Sequence, residues 1–134
     1  MLDDVDIENL SVFVISSTQL GAREKDTRNA IKLMSGSRVR HYWDGDQRVG
    51  LAIQALIHGM DDPAWDFWML FAPGVAWPEE ETPMPDWWEH NLWALGVTHP
   101  ERRLDADRFA RKAFELSGSA GSERSEKHGA PGEQ

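Results

Sequence analysis

The sequence predicts an α/β fold: a small mixed sheet layered with helices in the order β-α-β-α-β-β-α-α. Three observations carry that prediction. Residues 10–16 are β-branched and apolar on both alternating faces, as suits a strand covered on both sides. Val49, Ala52, Ile53, Leu56 and Ile57 recur at the spacing that places them on one face of a helix. Residues 64–71 form a second, aromatic-rich apolar run that ends at the tight turn Ala72-Pro73-Gly74.

Taken in order, residues 10–16 make the first strand. After Gly21, residues 23–34 read as a helix with Thr27, Ala30, Ile31 and Met34 on one face, ended at 35–37 with Gly36 as a left-handed cap. Residues 38–43 alternate as a half-buried strand in which Val39, His41 and Trp43 share a face. Asp44-Gly45-Asp46 turns the chain, and Asp46 is placed to cap the helix over 49–57 by accepting its first free N–H groups. Pro63 precedes the central strand, in which Trp65, Phe67, Met69 and Phe71 point one way and Trp68 and Leu70 the other.

Val75-Ala76-Trp77 then returns as a short antiparallel strand, and 78–85 is an acidic, proline-rich loop. Asp86 opens a helix, with Glu89 completing a capping box and Trp88, Leu92 and Leu95 as its apolar stripe. A last helix over 105–116 carries Phe109, Ala113 and Phe114 on one side. From Ser117 onward the Gly/Ser/Glu composition predicts a disordered tail. The expected organisation is one domain over 1–116 and a tail over 117–134. Helical crossovers make the first three strands parallel and right-handed, with the fourth antiparallel.

Composition bounds the function. At 134 residues and 40% hydrophobic content there is room for one ordinary core. No apolar run approaches the ~18 residues of a membrane span, and the acidic N-terminus lacks the features of a secretory signal, so a cytoplasmic protein is expected. The net charge of −9 disfavours nucleic acid and anionic lipid as partners. With no cysteine, disulfide, thiolate-metal, iron–sulfur and cysteine-nucleophile chemistry are all excluded. Charge is also segregated. Between Val49 and Pro100 there are six of the seven tryptophans and eight Asp/Glu, but no Lys or Arg. Such a segment is either a buried middle or a surface suited to a basic partner.

The phrase Pro63-Ala64-Trp65-Asp66-Phe67-Trp68-Met69-Leu70-Phe71-Ala72-Pro73-Gly74-Val75-Ala76-Trp77 resembles the second half of the thioredoxin-like fold. With His41-Tyr42-Trp43-Asp44 and Pro85-Asp86-Trp87-Trp88-Glu89-His90-Asn91-Leu92, it is similar to uncharacterised bacterial thioredoxin-like proteins. The resemblance spans roughly residues 10–95. It implies a thioredoxin-like three-layer sandwich, with Pro63 in the place of that family's cis-proline. The family's first strand-helix unit and its Cys-x-x-Cys are missing, so thiol–disulfide exchange is ruled out. A missing first strand leaves a sheet edge or face uncovered, and uncovered edges invite pairing. A homodimer, or a complex with a protein partner, is the expectation.

Two groups of residues are candidates for function. His41, Trp43, Asp44, Pro63, Trp65 and Asp66 would form a pocket if the fold gathers them, with Asp66 a candidate acid if buried beside Trp65 and Phe67. The plainer role for His41 is a half-buried ring bonded to backbone, and for Asp66 a hydrogen bond from an N–H. Trp87, Trp88, Glu89 and His90 form a candidate interface. Adjacent tryptophans cannot both face the core of one helix, so Trp87 is expected to be exposed or to pack against another chain. Beside Glu79, Glu80, Glu81 and Glu89 it would suit a partner's lysine or arginine by cation–π and ionic contact. The plainer role is packing under the proline-rich loop or the last helix. No histidine pair, HExxH, catalytic triad order or phosphate loop occurs, so no metal, cofactor or catalytic residue is assigned.

Three function classes follow. The first is a non-redox thioredoxin-like protein acting through protein–protein contact. The second is a small-molecule binder or cysteine-free enzyme using the His/Asp/Trp pocket. The third is an acidic mimic of nucleic acid, against which the clustered arginines argue.

Overall fold

A computed structural model describes residues 7–126. The chain is mixed α/β with four strands and four α-helices among the described residues: β1 (Val12–Ser17), α1 (Thr27–Leu33), β2 (Val39–Asp44), α2 (Arg48–Leu56), β3 (Phe67–Leu70), β4 (Trp87–His90), α3 (Trp93–Thr98) and α4 (Ala106–Glu126). The order of element types is the predicted one, but the strands form two separate two-stranded sheets in place of one mixed sheet. β1 and β2 pair in parallel, Val12 opposite Val39 through Ser17 opposite Asp44. β3 and β4 pair antiparallel, Phe67 opposite His90 through Leu70 opposite Trp87.

The first crossover is shorter than predicted. A 3-10 turn at Glu24–Asp26 leads into α1, which ends at Leu33 with Met34 already extended. α2 follows the apolar spacing closely, and Ile53 and Ile57 are buried. Its cap is Asp44 and not Asp46. The Asp44 carboxylate accepts the N–H groups of Arg48 and Val49, each at 2.8 Å, while Asp46 makes only an exposed ion pair with Arg48. The reason is local. Gln47 adopts a left-handed conformation (φ 56°) that swings the first helical N–H groups back over Asp44.

The largest departure is at residues 87–90. The predicted helix from Asp86 is instead β4, and the predicted strand at 75–77 is loop. Asp86 closes the β3–β4 ladder: its N–H donates to the Leu70 carbonyl and its carboxylate accepts the Ala72 N–H. The return strand therefore lies beyond the acidic loop. A four-residue ladder with β3, added to aromatic strand preference, outweighs a capping box worth about 1 kcal/mol.

β3 and β4 are the middle of a layered unit. Trp88 stacks on Phe67 with ring centroids 5.2 Å apart, and this face packs with Ile53 of α2, Ile57 just beyond it and Leu95 of α3. The opposite face carries Trp68, which meets Phe109 of α4 edge-on at 6.3 Å. Beyond His90, the Leu104 N–H donates to the His90 carbonyl, so 103–104 cover part of the free edge of β4. α4 continues to Glu126, past the boundary expected at Ser117. Once its first turns are packed, each further residue adds a helical hydrogen bond at little cost. Residues 127–134 of the expected tail lie outside the described residues.

Candidate functional site

The residues expected at a surface interface are at the centre of the second unit. In a strand, neighbours alternate between faces, so both tryptophans can be covered. Trp88 and His90 face α2 and α3, while Trp87 and Glu89 face α4. Glu89 and His90 are fully buried and Trp88 is nearly so. The expected exposed Trp87 is half-buried, and cations of its own chain flank it. The Arg102 guanidinium lies 4.0 Å from its ring centroid and the Lys112 ammonium 4.9 Å. The cation–π partner predicted for another molecule is supplied by the chain's own C-terminal segment.

Glu89 is the hub. One carboxylate oxygen accepts the Trp87 indole N–H at 2.9 Å and the Arg108 Nε–H at 2.7 Å; the other accepts the Asp105 backbone N–H at 2.7 Å. Burial pushes the carboxyl pKa up, but the hydrogen bonds from Arg108, Asp105 and Trp87 and the Arg108 charge outweigh it and hold it below the usual range. Arg108 is correspondingly raised by its bond to Glu89. Asp105, which accepts the Arg108 N–H at 2.9 Å, caps α4 and is lowered by that bond. A charged, three-fold satisfied carboxylate is a strut and a poor proton donor. It fixes α4 across the sheet.

His90 is equally committed. Its Nδ1 accepts the Leu92 N–H at 3.1 Å, so Nε2 carries the proton and donates to the His99 carbonyl at 3.0 Å. His99 in turn donates to the His58 carbonyl at 2.8 Å. Among the described residues no group of three or more acidic or histidine side chains is arranged to hold a metal.

The candidate pocket is not assembled as one site. Asp44 caps α2. The Pro63–Ala64 backbone lies against α2 at Gly50, where the Ala64 N–H donates to the Gly50 carbonyl at 2.9 Å, and the Pro63 peptide is trans. Trp65 is half-buried ahead of β3. Asp66 is exposed with φ 50°, and its backbone carbonyl accepts the Asn91 N–H at 3.1 Å, so the burial that would make it a candidate acid is absent. His41 and Trp43 alone share a cavity, an open cleft of about 510 Å3 lined also by Thr27, Arg28 and Ile31. His41 donates from Nε2 to the Met34 carbonyl at 2.6 Å, the backbone role expected of it. Its Nδ1 and the Thr27 hydroxyl are buried without a partner.

A further feature lies on β1–β2, at residues outside both candidate groups. Alternate residues of β1 and β2 are exposed: Phe13, Ile15, Arg40 and Tyr42 occupy one face of the parallel pair, and Val12, Val14, Val39 and His41 the other. Phe13 is 56% exposed, Tyr42 49% and Ile15 36%, with the Phe13 and Tyr42 rings stacked at 6.2 Å. The signal was available, because Phe13, Ile15 and Tyr42 lie on alternating positions. It was masked because an apolar run on both faces reads as a strand covered on both. Among the described residues no helix is long and apolar enough to cross a membrane. No protein-family model, curated protein or solved structure matches this chain.

Proposed function

We propose that this chain is a non-redox interaction protein that works by receiving a protein partner on the open face of β1–β2. The observation that carries the reading is that face itself, a parallel strand pair presenting Phe13, Ile15 and Tyr42 to solvent. Parallel strands occur with both faces covered, and each Å2 of apolar surface removed from water contributes about 25 cal/mol. A cover would recover that free energy. The thioredoxin-like frame belongs to the same reading. The β-α-β-α-β-β-α-α order and the antiparallel β3–β4 pair support it, the two separate sheets weigh against it, and the absence of cysteine removes redox exchange from it.

Hydroxyl-radical footprinting of the native chain inside its host cells, compared with dilute purified chain, tests the proposal. Phe13 and Tyr42 should be protected in cells and oxidised in dilute solution. Equal oxidation in both settings sinks it.

One observation favours a second reading, a small-molecule site at the His41 cleft. Two residues lining the same cleft, Thr27 and His41, hold buried polar atoms with no partner, and such atoms cost ~1–3 kcal/mol each unless something satisfies them. A polar metabolite entering there would raise the melting temperature of the wild type and not of His41→Phe. A metabolite panel that shifts neither, or both equally, removes this reading.

A further inference from the structure

Among the described residues, two exposed apolar segments carry opposite charge. The open face of β1–β2 includes Arg40, which stands opposite Phe13 in the ladder. The connection between β3 and β4 exposes Val75, Trp77 and Met84 around the exposed Glu79, Glu80 and Glu81. That connection lies within the stretch, 49–100, that has eight Asp/Glu and no Lys or Arg. Among the described residues neither Arg40 nor these three glutamates makes an ion pair.

Resting on the reading above that the β1–β2 face is a protein interface, we infer that its occupant is a second copy of this chain. The acidic-aromatic connection of one copy docks on Phe13, Ile15, Arg40 and Tyr42 of the next. Trp77, held at one side by Phe71 with ring centroids 5.4 Å apart, supplies aromatic cover for the Phe13–Tyr42 pair, and the glutamates meet Arg40. Charge selects this head-to-tail pairing over a face-to-face one. Two open faces brought together would set Arg40 against Arg40 and leave both acidic connections unmatched. A head-to-tail contact uses different patches on the two copies, so each copy keeps one free patch, and the assembly grows until it closes into a ring.

Sedimentation velocity on the purified full chain, from micromolar to millimolar at low and high salt, tests this. The wild type should gain mass with concentration, less so at high salt. Arg40→Glu alone, and the triple Glu79→Gln/Glu80→Gln/Glu81→Gln alone, should each weaken association about tenfold or more, a change of about 1.4 kcal/mol. All four positions are exposed, so the fold is not at stake. The decisive arm mixes the two variants. The triple variant has an intact sheet face and Arg40→Glu an intact connection, so together they should form a one-to-one dimer that does not grow.

A wild type that stays monomeric overturns the inference, as does a mixture that recovers no dimer. The protection of Phe13 and Tyr42 in cells then still decides the reading beneath it. Association lost in Phe13→Thr/Tyr42→Thr but unchanged in both charge variants overturns the head-to-tail pairing while leaving the face an interface.

Discussion

The two strand pairs share a chain, yet their surroundings differ. β3–β4 has α4 on one face and α2 with α3 on the other, and the largest fully buried side chains (Ile53, Leu95, His90 and Glu89) all gather around it. β1–β2 has no buried residue in either strand and one face without cover. Isolated two-stranded sheets are marginal in water. The second unit, where the buried side chains gather, therefore carries most of the stability. That contrast makes a ranked set of expectations: substitutions about β3–β4 should cost folding free energy, and substitutions on the open face should cost association instead.

The largest effect belongs to Glu89. Glu89→Ala leaves the Trp87 indole, the Asp105 N–H and the Arg108 guanidinium without their acceptor. Removing one partner of a buried pair costs ~3–5 kcal/mol; because Arg108 keeps some solvent contact, the expected loss is about 3 kcal/mol in urea unfolding. The pH dependence has a defined sign. The folded-state pKa of Glu89 is lowered, so its contribution is complete above the unfolded value of about 4.3. It is lost as pH falls through the lower folded value. Glu89→Gln should flatten the acid limb of the stability profile. If the limb is as steep in Glu89→Gln as in the wild type, Glu89 is not a charged hub.

Gly50 comes next. A Cβ there would lie 2.8 Å from the Ala64 carbonyl oxygen and 3.1 Å from Pro63 Cβ. This is an approach of backbone to helix that only glycine allows. Overpacking costs ~1–3 kcal/mol, and Gly50→Ala should lose about 2 kcal/mol, despite alanine's higher helix propensity. A neutral or stabilising result would mean that the 63–64 segment moves freely, and that the second unit is less tightly joined to α2 than its buried side chains indicate.

What the sequence revealed follows the range over which each signal acts. The α2 face was legible because five apolar residues repeat within one helix. The two faces of β3 were legible from alternation, and Phe67 and Met69 do turn toward the core while Trp68 turns toward α4. Residues 87–90 were misread because Asp86 and Glu89 compose a good local helix start. Their true partners, 67–70 and Arg108, lie about twenty residues away on either side. The adjacent tryptophans held the missing clue: a helix cannot cover both, but a strand sandwiched between two layers can. Nothing local marks Arg108 as the ion-pair partner of Glu89, since the crossing of α4 over the sheet sets that meeting.

Asp44→Ala sits between the two regions. It removes both carboxylate bonds to the start of α2, and loss of a cap costs about 1 kcal/mol. Asp46→Ala, only two residues on, should be nearly silent, because its ion pair with Arg48 is exposed. Equal losses from the two variants, measured by thermal and urea unfolding, would return the cap to Asp46.

The sharpest contrast is expected of Phe13→Thr with Tyr42→Thr. Threonine keeps the strand preference of β1 and β2, and both side chains are about half exposed, so little packing is lost. In dilute protein the double variant should lose about 0.5 kcal/mol per site. Concentration separates the two roles. If the face is an interface between copies, association stabilises the folded state by mass action, and the wild-type melting temperature rises with protein concentration. The double variant should show no such rise. A wild-type melting temperature independent of concentration would leave the open face without a self-partner. A large loss in the dilute double variant would mean that Phe13 and Tyr42 support the fold itself. Either result would erase the distinction between a unit that holds the molecule together and a unit that presents it.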